Sequence, residues 1–295
     1  MMKEMIYRPP FEAESFLLQV THGCSHNKCC FCTMYKGVEF SLVSEEDVDA
    51  QLRYGKRYDP ERARVFLENG DPFAMSAERL IAVCEKIHAY LPKVETIAMY
   101  ASINNIRNKS DEELRQLREL GVNELNIGVE SGLNDTLDYL NKGYTSDEAL
   151  HQLLRLKEAG IEFGANVIFG AAGKGRHKEN AVATAQLLNK TQPYLIFTGT
   201  MHADSGCVLY EDIQSGRFAE PTFGEYLEEE KVFIENLEVD GCRYFALHPS
   251  NVTRMQGFLP QDKDLLLGRN RWNRKALEKM LDRVPIRMGE GAIIG

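Results

Sequence analysis

Short apolar runs rich in β-branched and aromatic residues alternate with longer amphipathic stretches through the first two-thirds of the 295-residue chain. This alternation is typical of βαβ units, in which crossover helices join neighbouring parallel strands. Six runs are predicted to be strands, at residues 16–21, 64–68, 96–101, 124–129, 163–169 and 194–198. The sequence therefore predicts an α/β fold made of six β/α units.

Helix start signals fall between these strands. Ser44 and Ser76 each precede an amphipathic stretch, and Ser110-Asp-Glu-Glu has the spacing of a capping box. Two more helices are predicted at about 145–159 and 177–190 from their apolar periodicity. Each predicted strand is thus followed by a loop or helix that can return the chain to the same edge of the sheet.

The pattern becomes less regular after about residue 200. No low-complexity linker or internal repeat interrupts the first part, so we predict that residues 1–200 form one barrel domain. Residues 201–295 are predicted to be a C-terminal extension packed on the barrel. The extension carries an acidic helix near Glu225 to Asn236 and a basic one near Arg271 to Arg283.

Charge and hydropathy limit the classes of partner. The formal net charge is -9, and no run of five Lys or Arg provides a footprint for a phosphate backbone, so nucleic acid is disfavoured. The segment Met1 to Pro10 is not an apolar leader, and no 18-residue apolar stretch follows. We expect a cytoplasmic protein that has no membrane partner.

Four of the seven cysteines lie within nine residues, from Cys24 to Cys32. Such clustering argues against a disulfide framework and for a metal site or reactive thiols. The loop follows directly on the first predicted strand, which places the thiols at the carboxyl end of a parallel sheet, where active sites of such folds lie. Three thiolates on an iron-sulfur cluster would leave one iron without a protein ligand.

The loop resembles the cluster loop of radical S-adenosylmethionine (SAM) enzymes. In that family the usual spacing is Cys-x3-Cys-x2-Cys with an aromatic residue before the last cysteine, a place that Phe31 takes here. The spacing of Cys24, Cys29 and Cys32 is Cys-x4-Cys-x2-Cys, and the additional Cys30 could replace Cys29 as a ligand. The resemblance implies a 4Fe-4S cluster held by Cys24, Cys29 and Cys32, and a partial (β/α)6 TIM-like barrel.

Further segments resemble the superfamily in the same order, most closely the branch of oxygen-independent coproporphyrinogen oxidase, the tRNA methylthiotransferases and the elongator catalytic subunit. Asn69-Gly70-Asp71-Pro72 resembles the Gly-Gly-Glu-Pro turn that meets the amino group of SAM. Asn126 to Gly132 resembles the Ile-Gly-Val-Gln/Glu-Ser-Gly signature, which implies that Glu130 contacts the cofactor ribose. Lys142 matches the cation that binds the methionine carboxylate, Asn166 matches a ribose-binding Asp, and Ser102 is a further cofactor candidate.

The resemblance also implies an activity. A radical SAM enzyme cleaves SAM reductively to methionine and a 5′-deoxyadenosyl radical, which abstracts hydrogen from a substrate. It implies an oxygen-sensitive protein that works in anaerobic conditions with an electron donor such as flavodoxin or ferredoxin. The acidic net charge favours a small-molecule substrate over tRNA.

Polar residues after the sixth predicted strand are candidates for the substrate side. His202 and Asp204 could bind substrate or transfer a proton, and surface positions explain them equally well. Cys207 could be a thiol that faces the substrate or a partly buried loop residue. Cys84 and Cys242 fit small core positions.

Three other functions remain open at this point. The same radical chemistry could modify RNA or a peptide. A non-catalytic iron-sulfur electron carrier would use the cysteines without the cofactor-matching segments around Glu130 and Lys142. A structural zinc site could use the three cysteines with His22, His26 or Cys30 as the fourth ligand.

Overall fold

A computed structural model describes residues 7–281, with side chains as far as residue 276. The strands, in chain order, are β1 Phe16–Leu18, β2 Thr21–His22, β3 Ser41–Leu42, β4 Arg64–Leu67, β5 Thr96–Ala101, β6 Val122–Glu130, β7 Glu162–Phe169, β8 Leu195–Thr200, β9 Cys242–Phe245 and β10 Gln256–Leu259. The helices are α1 Glu45–Tyr58, α2 Ala77–Tyr90, α3 Ile103–Arg107, α4 Asp111–Glu119, α5 Asn134–Tyr139, α6 Ser146–Glu158, α7 His177–Thr191, α8 Val208–Gln214, α9 Phe223–Asn236 and α10 Lys263–Leu281.

The main sheet has eight strands in the order β1-β4-β5-β6-β7-β8-β9-β10. Neighbours from β1 to β9 run parallel, and β10 pairs antiparallel with β9. The first six of these strands are the six predicted from the sequence, which confirms the α/β class and is consistent with a partial barrel. A parallel sheet with helical crossovers brings the carboxyl ends of the strands to one mouth.

Two details differ from the sequence prediction. The first strand ends at Leu18, because Thr21 and His22 leave the main sheet to pair antiparallel with Leu42 and Ser41. The extension also contributes two strands, β9 and β10, that were not predicted. The sheet therefore continues past residue 200, and the proposed domain division there stays a prediction. Of the predicted basic helix near 271–283, residues 282 and 283 lie outside the described residues.

Local chemistry accounts for where the helices begin. Ser44, Ser76 and Ser110 are N-caps, each accepting a hydrogen bond from the backbone N–H three residues on. Helices α4, α6 and α9 begin with complete capping boxes, because the carboxylate of a Glu at the third helical position accepts a hydrogen bond from the backbone N–H of the cap residue. These caps fix the residue at which each helix begins.

The hydrophobic core lies between the sheet and the surrounding helices. On β6, Leu125, Ile127 and Val129 are fully buried against this helical layer. Because side chains alternate along a strand, the residues between them face the barrel interior. Among the described residues, every helix is too short or too polar to cross a lipid bilayer.

The amino ends of the strands are closed by an ionic network. Arg64, at the start of β4, donates to Glu12 at 2.9 Å and to Glu124 on β6 at 2.8 Å. The hydroxyl of Tyr194 donates to the same Glu124 carboxylate at 3.0 Å. The network ties the N-terminal segment to three strands and leaves the opposite mouth, at the carboxyl ends, for the functional site.

Candidate cofactor site at the mouth of the barrel

The cysteine loop lies at the carboxyl end of β1, as predicted. Cys24, Cys29 and Cys32 are half-buried free thiols. Burial raises the pKa of Cys24, and the nearby Asp71 carboxylate and Cys32 raise it further. Burial likewise raises the pKa of Cys29, which is close enough to Cys24 and Cys32 to interact with both. The structure therefore brings the three predicted ligands together at one mouth.

Cys30 differs from its neighbours in the loop. It is 5% exposed and packs in an apolar cluster with Leu140, Cys207 and Leu209. Its backbone N–H donates to Leu140 O at 3.1 Å, and its carbonyl accepts from Leu209 N at 2.9 Å. Phe31 packs against the same cluster. This packing favours Cys29 over Cys30 as the ligand.

The cysteine loop is anchored by the turn after α5 and by the turn after β4. Asn141 donates to the Lys28 carbonyl at 3.0 Å, and a ring nitrogen of His26 contacts the Asn141 carbonyl. On the other side, Gly70 lies in the turn after β4, directly against the cysteine loop. A Cβ at Gly70 would lie 2.8 Å from the Gly23 carbonyl oxygen. A side chain at this position would displace the loop, which explains the glycine.

Asp71 connects the cysteine loop to α3, the helix that follows β5. Its carboxylate, 2% exposed, accepts hydrogen bonds from Ser25 in the cysteine loop and from Asn105 on α3. Burial raises the pKa of Asp71 to about 6. Asn69, two residues earlier, has a left-handed backbone with φ of 74° and a buried Nδ2 that has no hydrogen-bond partner among the described residues. An unpaired buried donor is costly, so this turn is suited to a polar ligand.

Glu130 and Lys142 form a buried ion pair beside the thiols. Lys142 Nζ donates to Glu130 Oε1 at 3.0 Å, and both side chains are about one-tenth exposed. Burial alone would lower the pKa of Lys142, but the adjacent Glu130 carboxylate raises it well above its usual value. Both groups act electrostatically on Cys29. The lysine therefore keeps its charge at the mouth of the barrel.

The backbone of Glu130 is strained. Its φ is 63°, and Ser131 N–H donates back to the Val129 carbonyl at 2.8 Å, which makes a tight three-residue turn. A non-glycine residue in this region costs of order 1–3 kcal/mol and persists only where the surroundings enforce it. The turn swings the carboxylate over Gly128, where a Cβ would overlap Glu130 Oε1.

The remaining cofactor candidates have different surroundings. Asn166 is half-buried on β7 and pairs in register with Gly128, so it lies beside the Glu130–Lys142 pair. Ser102 caps α3 by accepting from Asn105 N–H at 3.2 Å, so its hydroxyl already has a structural role. Asn104 on α3 donates to the Lys142 carbonyl at 3.0 Å and has a buried Oδ1 that no described residue contacts by a hydrogen bond.

The substrate-side candidates do not form one cluster. His202 and Asp204 are exposed and contact each other at 3.0 Å, and Asp204 also accepts from Thr33 in the cysteine loop at 3.4 Å. Cys207 is 1% exposed and is the N-cap of α8, where its Sγ accepts from Tyr210 N–H at 3.4 Å. Cys84 and Cys242 are buried core residues, as expected.

The donor set fits an iron-sulfur cluster. Three thiols on a loop, a carboxylate–lysine pair beside them and the orphaned amide atoms of Asn69 and Asn104 together provide soft ligands and polar contacts for a second group. For a zinc site, His22 and His26 have other contacts, with Gln19 and Asn141. Among the described residues, no three His, Cys, Asp or Glu side chains are close enough to hold a single metal ion.

Comparison with known proteins identifies the family. The radical SAM superfamily profile matches residues 18–188, which is more than half of the chain. The chain belongs to the radical SAM superfamily, as the resemblance of the cysteine loop predicted.

Individual relatives are distant. The heme chaperone HemW of Bacillus subtilis (strain 168) is 23% identical over 234 residues, which cover 79% of this chain and 60% of HemW. The cobalamin-binding methyltransferase TsrM from Kitasatospora setae superposes with a TM-score of 0.56 at 15% identity, over 68% of this chain and 36% of TsrM. The archaeal Elp3 of Methanocaldococcus infernus gives 0.54 at 13% identity, over 90% of this chain and 63% of that protein. These likenesses show the fold, and the chain spans only part of each relative.

Sequence reasoning missed several residues of the site. Asn105 and Lys109 hold the turn after β4, Asn105 through Asp71 and Lys109 by donating to the carbonyls of Phe73 and Met75 at 2.7 and 2.9 Å. Burial lowers the pKa of Lys109 to about 8. Asn105 is on α3 and Lys109 lies just after α3, far from the turn in the sequence. No local sequence pattern therefore links them to the turn.

Proposed function

We propose that this chain is a radical SAM enzyme that binds a 4Fe-4S cluster through Cys24, Cys29 and Cys32 and acts on a small-molecule substrate. The observation that supports it most directly is the position of the three thiols beside the buried Glu130–Lys142 pair. An electron carrier would need the thiols, but it would not need a buried, charged lysine beside them.

Each side chain has a proposed role toward the cofactor. Lys142 binds the methionine carboxylate of SAM as a point charge, while the Asn69–Asp71 turn meets its amino group. Glu130 and Asn166 accept hydrogen bonds from the ribose hydroxyls. With SAM bound, Lys142 would contact the methionine carboxylate, and the Glu130 carboxylate would be free to accept from the ribose hydroxyls.

The bound cluster supplies the electron that cleaves SAM to methionine and a 5′-deoxyadenosyl radical, and the protein supplies position and exclusion of water. Lys142 keeps its proton because of its carboxylate neighbour. The 202–207 loop covers the outer side of the cysteine loop through the Thr33–Asp204 contact. The extension thus contacts the cysteine loop at the barrel mouth.

The acidic net charge of -9 supports a small molecule over nucleic acid. The cluster loop is near the surface, where a flavodoxin or ferredoxin could deliver an electron in an anaerobic cytoplasm. These partners and this location are part of the proposal.

Anaerobic reconstitution with iron and sulfide, followed by SAM and dithionite, tests the function. We expect a brown protein with about four irons per chain, a 4Fe-4S electron paramagnetic resonance signal after reduction, and 5′-deoxyadenosine and methionine detected by mass spectrometry. The C24A/C29A/C32A variant is the control and should give neither signal nor product. A wild-type protein with a full 4Fe-4S cluster that forms no 5′-deoxyadenosine would contradict the proposal.

A further inference from the structure

Asn126 lies on the inner face of the barrel. Its neighbours on β6, Leu125 and Ile127, are fully buried on the outer face against the helices. Because side chains alternate along a strand, Asn126 points the opposite way, into the interior. Its partners in register are Tyr100 on β5 and Gly164 on β7.

Both polar atoms of this amide are orphaned. Asn126 is 1% exposed, and neither Oδ1 nor Nδ2 has a hydrogen-bond partner among the described residues. Burying an amide without partners opposes folding. Two other asparagines buried near the barrel mouth are paired, Asn105 with Asp71 and Asn180 with Ser131 and Glu229. The buried Asn69 lacks a partner only at Nδ2, since its Oδ1 accepts from Tyr7 N–H. Asn126 thus presents a buried donor and a buried acceptor that the described residues leave unpaired.

Asn126 lies between Gly164 on β7 and Tyr100 on β5, and further aromatic side chains lie on the flanking strands β4 and β8. A Cβ at Gly164 would lie 3.3 Å from Asn126 Oδ1 and 3.2 Å from Leu195 Cδ2, so the glycine makes room for the amide beside Leu195. Phe66 packs edge-on against Tyr100 with ring centroids 5.5 Å apart. Phe197, which is half-buried on β8, is stacked with Phe245 at 5.6 Å. Flat apolar walls with one polar contact suit a planar ligand.

Arg64, at the amino end of the barrel, does not provide a free positive charge. It is bound by both Glu12 and Glu124, so two carboxylates face one guanidinium. An anionic ligand is therefore disfavoured, and the uncharged amide of Asn126 is matched by a neutral group.

The position along the strand is also suited to a substrate. Asn126 precedes Gly128 by two residues, which is about 7 Å along a strand. The Glu130–Lys142 pair covers Gly128 at the mouth. A ligand bound to Asn126 would lie one layer deeper in the barrel than the proposed cofactor contacts.

Resting on the proposed function, we propose that Asn126 is the recognition residue of the substrate site, which takes a neutral, planar ligand that presents an adjacent donor and acceptor, such as a carboxamide or lactam. The amide pairs with the ligand through two hydrogen bonds, Nδ2 donating and Oδ1 accepting. A site built this way rejects an analogue that lacks the donor, because Oδ1 is then left unpaired.

A stability comparison tests the first half of the proposal without any ligand or cofactor. Asn126→Leu keeps the shape of the side chain and removes both orphaned atoms, so we expect the apo protein to melt about 2–4 °C higher. The matched variant Asn180→Leu removes a paired amide and should melt lower. If N126L melts lower, as N180L does, the amide has a structural partner and the proposal fails.

Binding of two matched probes tests the second half. Acetophenone has the shape of benzamide with the donor replaced by a methyl group. We expect wild-type protein to bind benzamide at least about tenfold more tightly in ligand-observed NMR, and N126L to bind the two alike. Equal affinities of the wild-type protein for both probes, or an unchanged preference in N126L, would overturn the site. Neither test requires SAM cleavage, so loss of 5′-deoxyadenosine formation in the wild type would count against the proposed function alone.

Discussion

The backbone N–H of Gly170, at the end of β7, donates a 2.8 Å hydrogen bond to the carboxylate of Glu229 on α9. The other oxygen of Glu229 accepts from Asn180 Nδ2 at 2.7 Å, and Asn180 Oδ1 accepts from the hydroxyl of Ser131. Ser131 follows the strained Glu130 directly. A buried carboxylate from the C-terminal extension is therefore linked to two strand ends that carry candidate cofactor residues.

We predict that Glu229→Gln loosens the turn at Gly170. Gln presents an amide N–H₂ where Asn180 Nδ2 already donates, so one hydrogen bond is lost or Asn180 must rotate. The Gly170 amide should exchange with deuterium about tenfold faster, which corresponds to about 1.4 kcal/mol, within the range for the loss of one hydrogen bond. Site-resolved hydrogen exchange on the apo protein measures this.

The double variant E229Q/N180D is the matched rescue. The carboxyl group introduced at position 180 would accept from both the amide introduced at position 229 and the Ser131 hydroxyl, which restores the complementary pattern of donors and acceptors. Protection at Gly170 should return toward the wild-type value. If the double variant exchanges faster than E229Q alone, the hydrogen-bond chain does not hold the turn.

Glu229 also predicts a pH dependence of stability. Burial raises its pKa to about 8 from an ordinary value of 4.5. Between these values the folded protein binds a proton that the unfolded chain releases, so this contribution to stability is full below about pH 4.5 and is lost as the pH rises to 8. Glu229→Gln removes it.

Urea unfolding of the wild type and E229Q between pH 5 and pH 9 provides the comparison. The free energy of unfolding of E229Q minus that of the wild type should rise by roughly 1.4 kcal/mol per pH unit up to about pH 8. Above that pH the difference should level off. Other ionisable groups cancel in the difference. A difference that stays constant across this range would show that Glu229 does not titrate there.

The Glu130–Lys142 pair should be strongly coupled in the apo protein. Removing one partner leaves an uncompensated buried charge, so Glu130→Gln or Lys142→Met should each destabilise the fold by about 3–5 kcal/mol. The double variant should cost clearly less than the sum of the two. A double-mutant cycle in urea measures the coupling.

The exposed pair Arg115–Glu112 is the control for that cycle. Its side chains are 55% and 67% exposed at an N–O distance of 2.7 Å, and its coupling should be below about 1 kcal/mol. A coupling between Glu130 and Lys142 as small as that of the control would mean that water screens the pair at the barrel mouth.

Gly132 should not tolerate a side chain. It follows Ser131, and a Cβ there would overlap the backbone of α7 at Ala183. Gly132→Ala should therefore cost about 1–3 kcal/mol, because the helix must move away from the strand end. Gly224→Ala is the control, since a Cβ in this first turn of α9 finds its nearest neighbour 3.9 Å away at Thr222 Oγ1. Gly224→Ala should raise the free energy of unfolding, measured with urea, by about 0.5–1 kcal/mol. If Gly132→Ala lowers the free energy of unfolding by no more than the change seen at Gly224, the contact of Gly132 with α7 is not tight.

The sequence predicted much of the barrel because its signals are local. Strand positions follow from apolar runs, and helix starts follow from Ser44, Ser76 and Ser110, whose capping contacts span three residues. The cysteine loop and the segment around Glu130 were found because each is contiguous. The run from Cys242 to Leu247 has a β-rich composition that could have predicted β9.

What the sequence missed depends on distant contacts. Glu229 and Glu230 were taken as part of an acidic helix, whereas both are buried, with Glu230 accepting from Tyr244 at 3.0 Å. Nothing nearby in the chain distinguishes them from the exposed Glu238. The orphaned amide of Asn126 was hidden for the same reason, since its lack of partners is visible only once the neighbouring strands are placed.

We propose that Cys24, Cys29 and Cys32 at the barrel mouth hold the cluster and that Cys30 does not. Iron content and the reduced-cluster resonance signal should be measured after anaerobic reconstitution of four single alanine variants, at Cys24, Cys29, Cys32 and Cys30. We predict that the first three lose the intact 4Fe-4S signal while the Cys30 variant keeps wild-type iron and 5′-deoxyadenosine formation. Full iron and SAM cleavage in any of the first three variants would contradict the account.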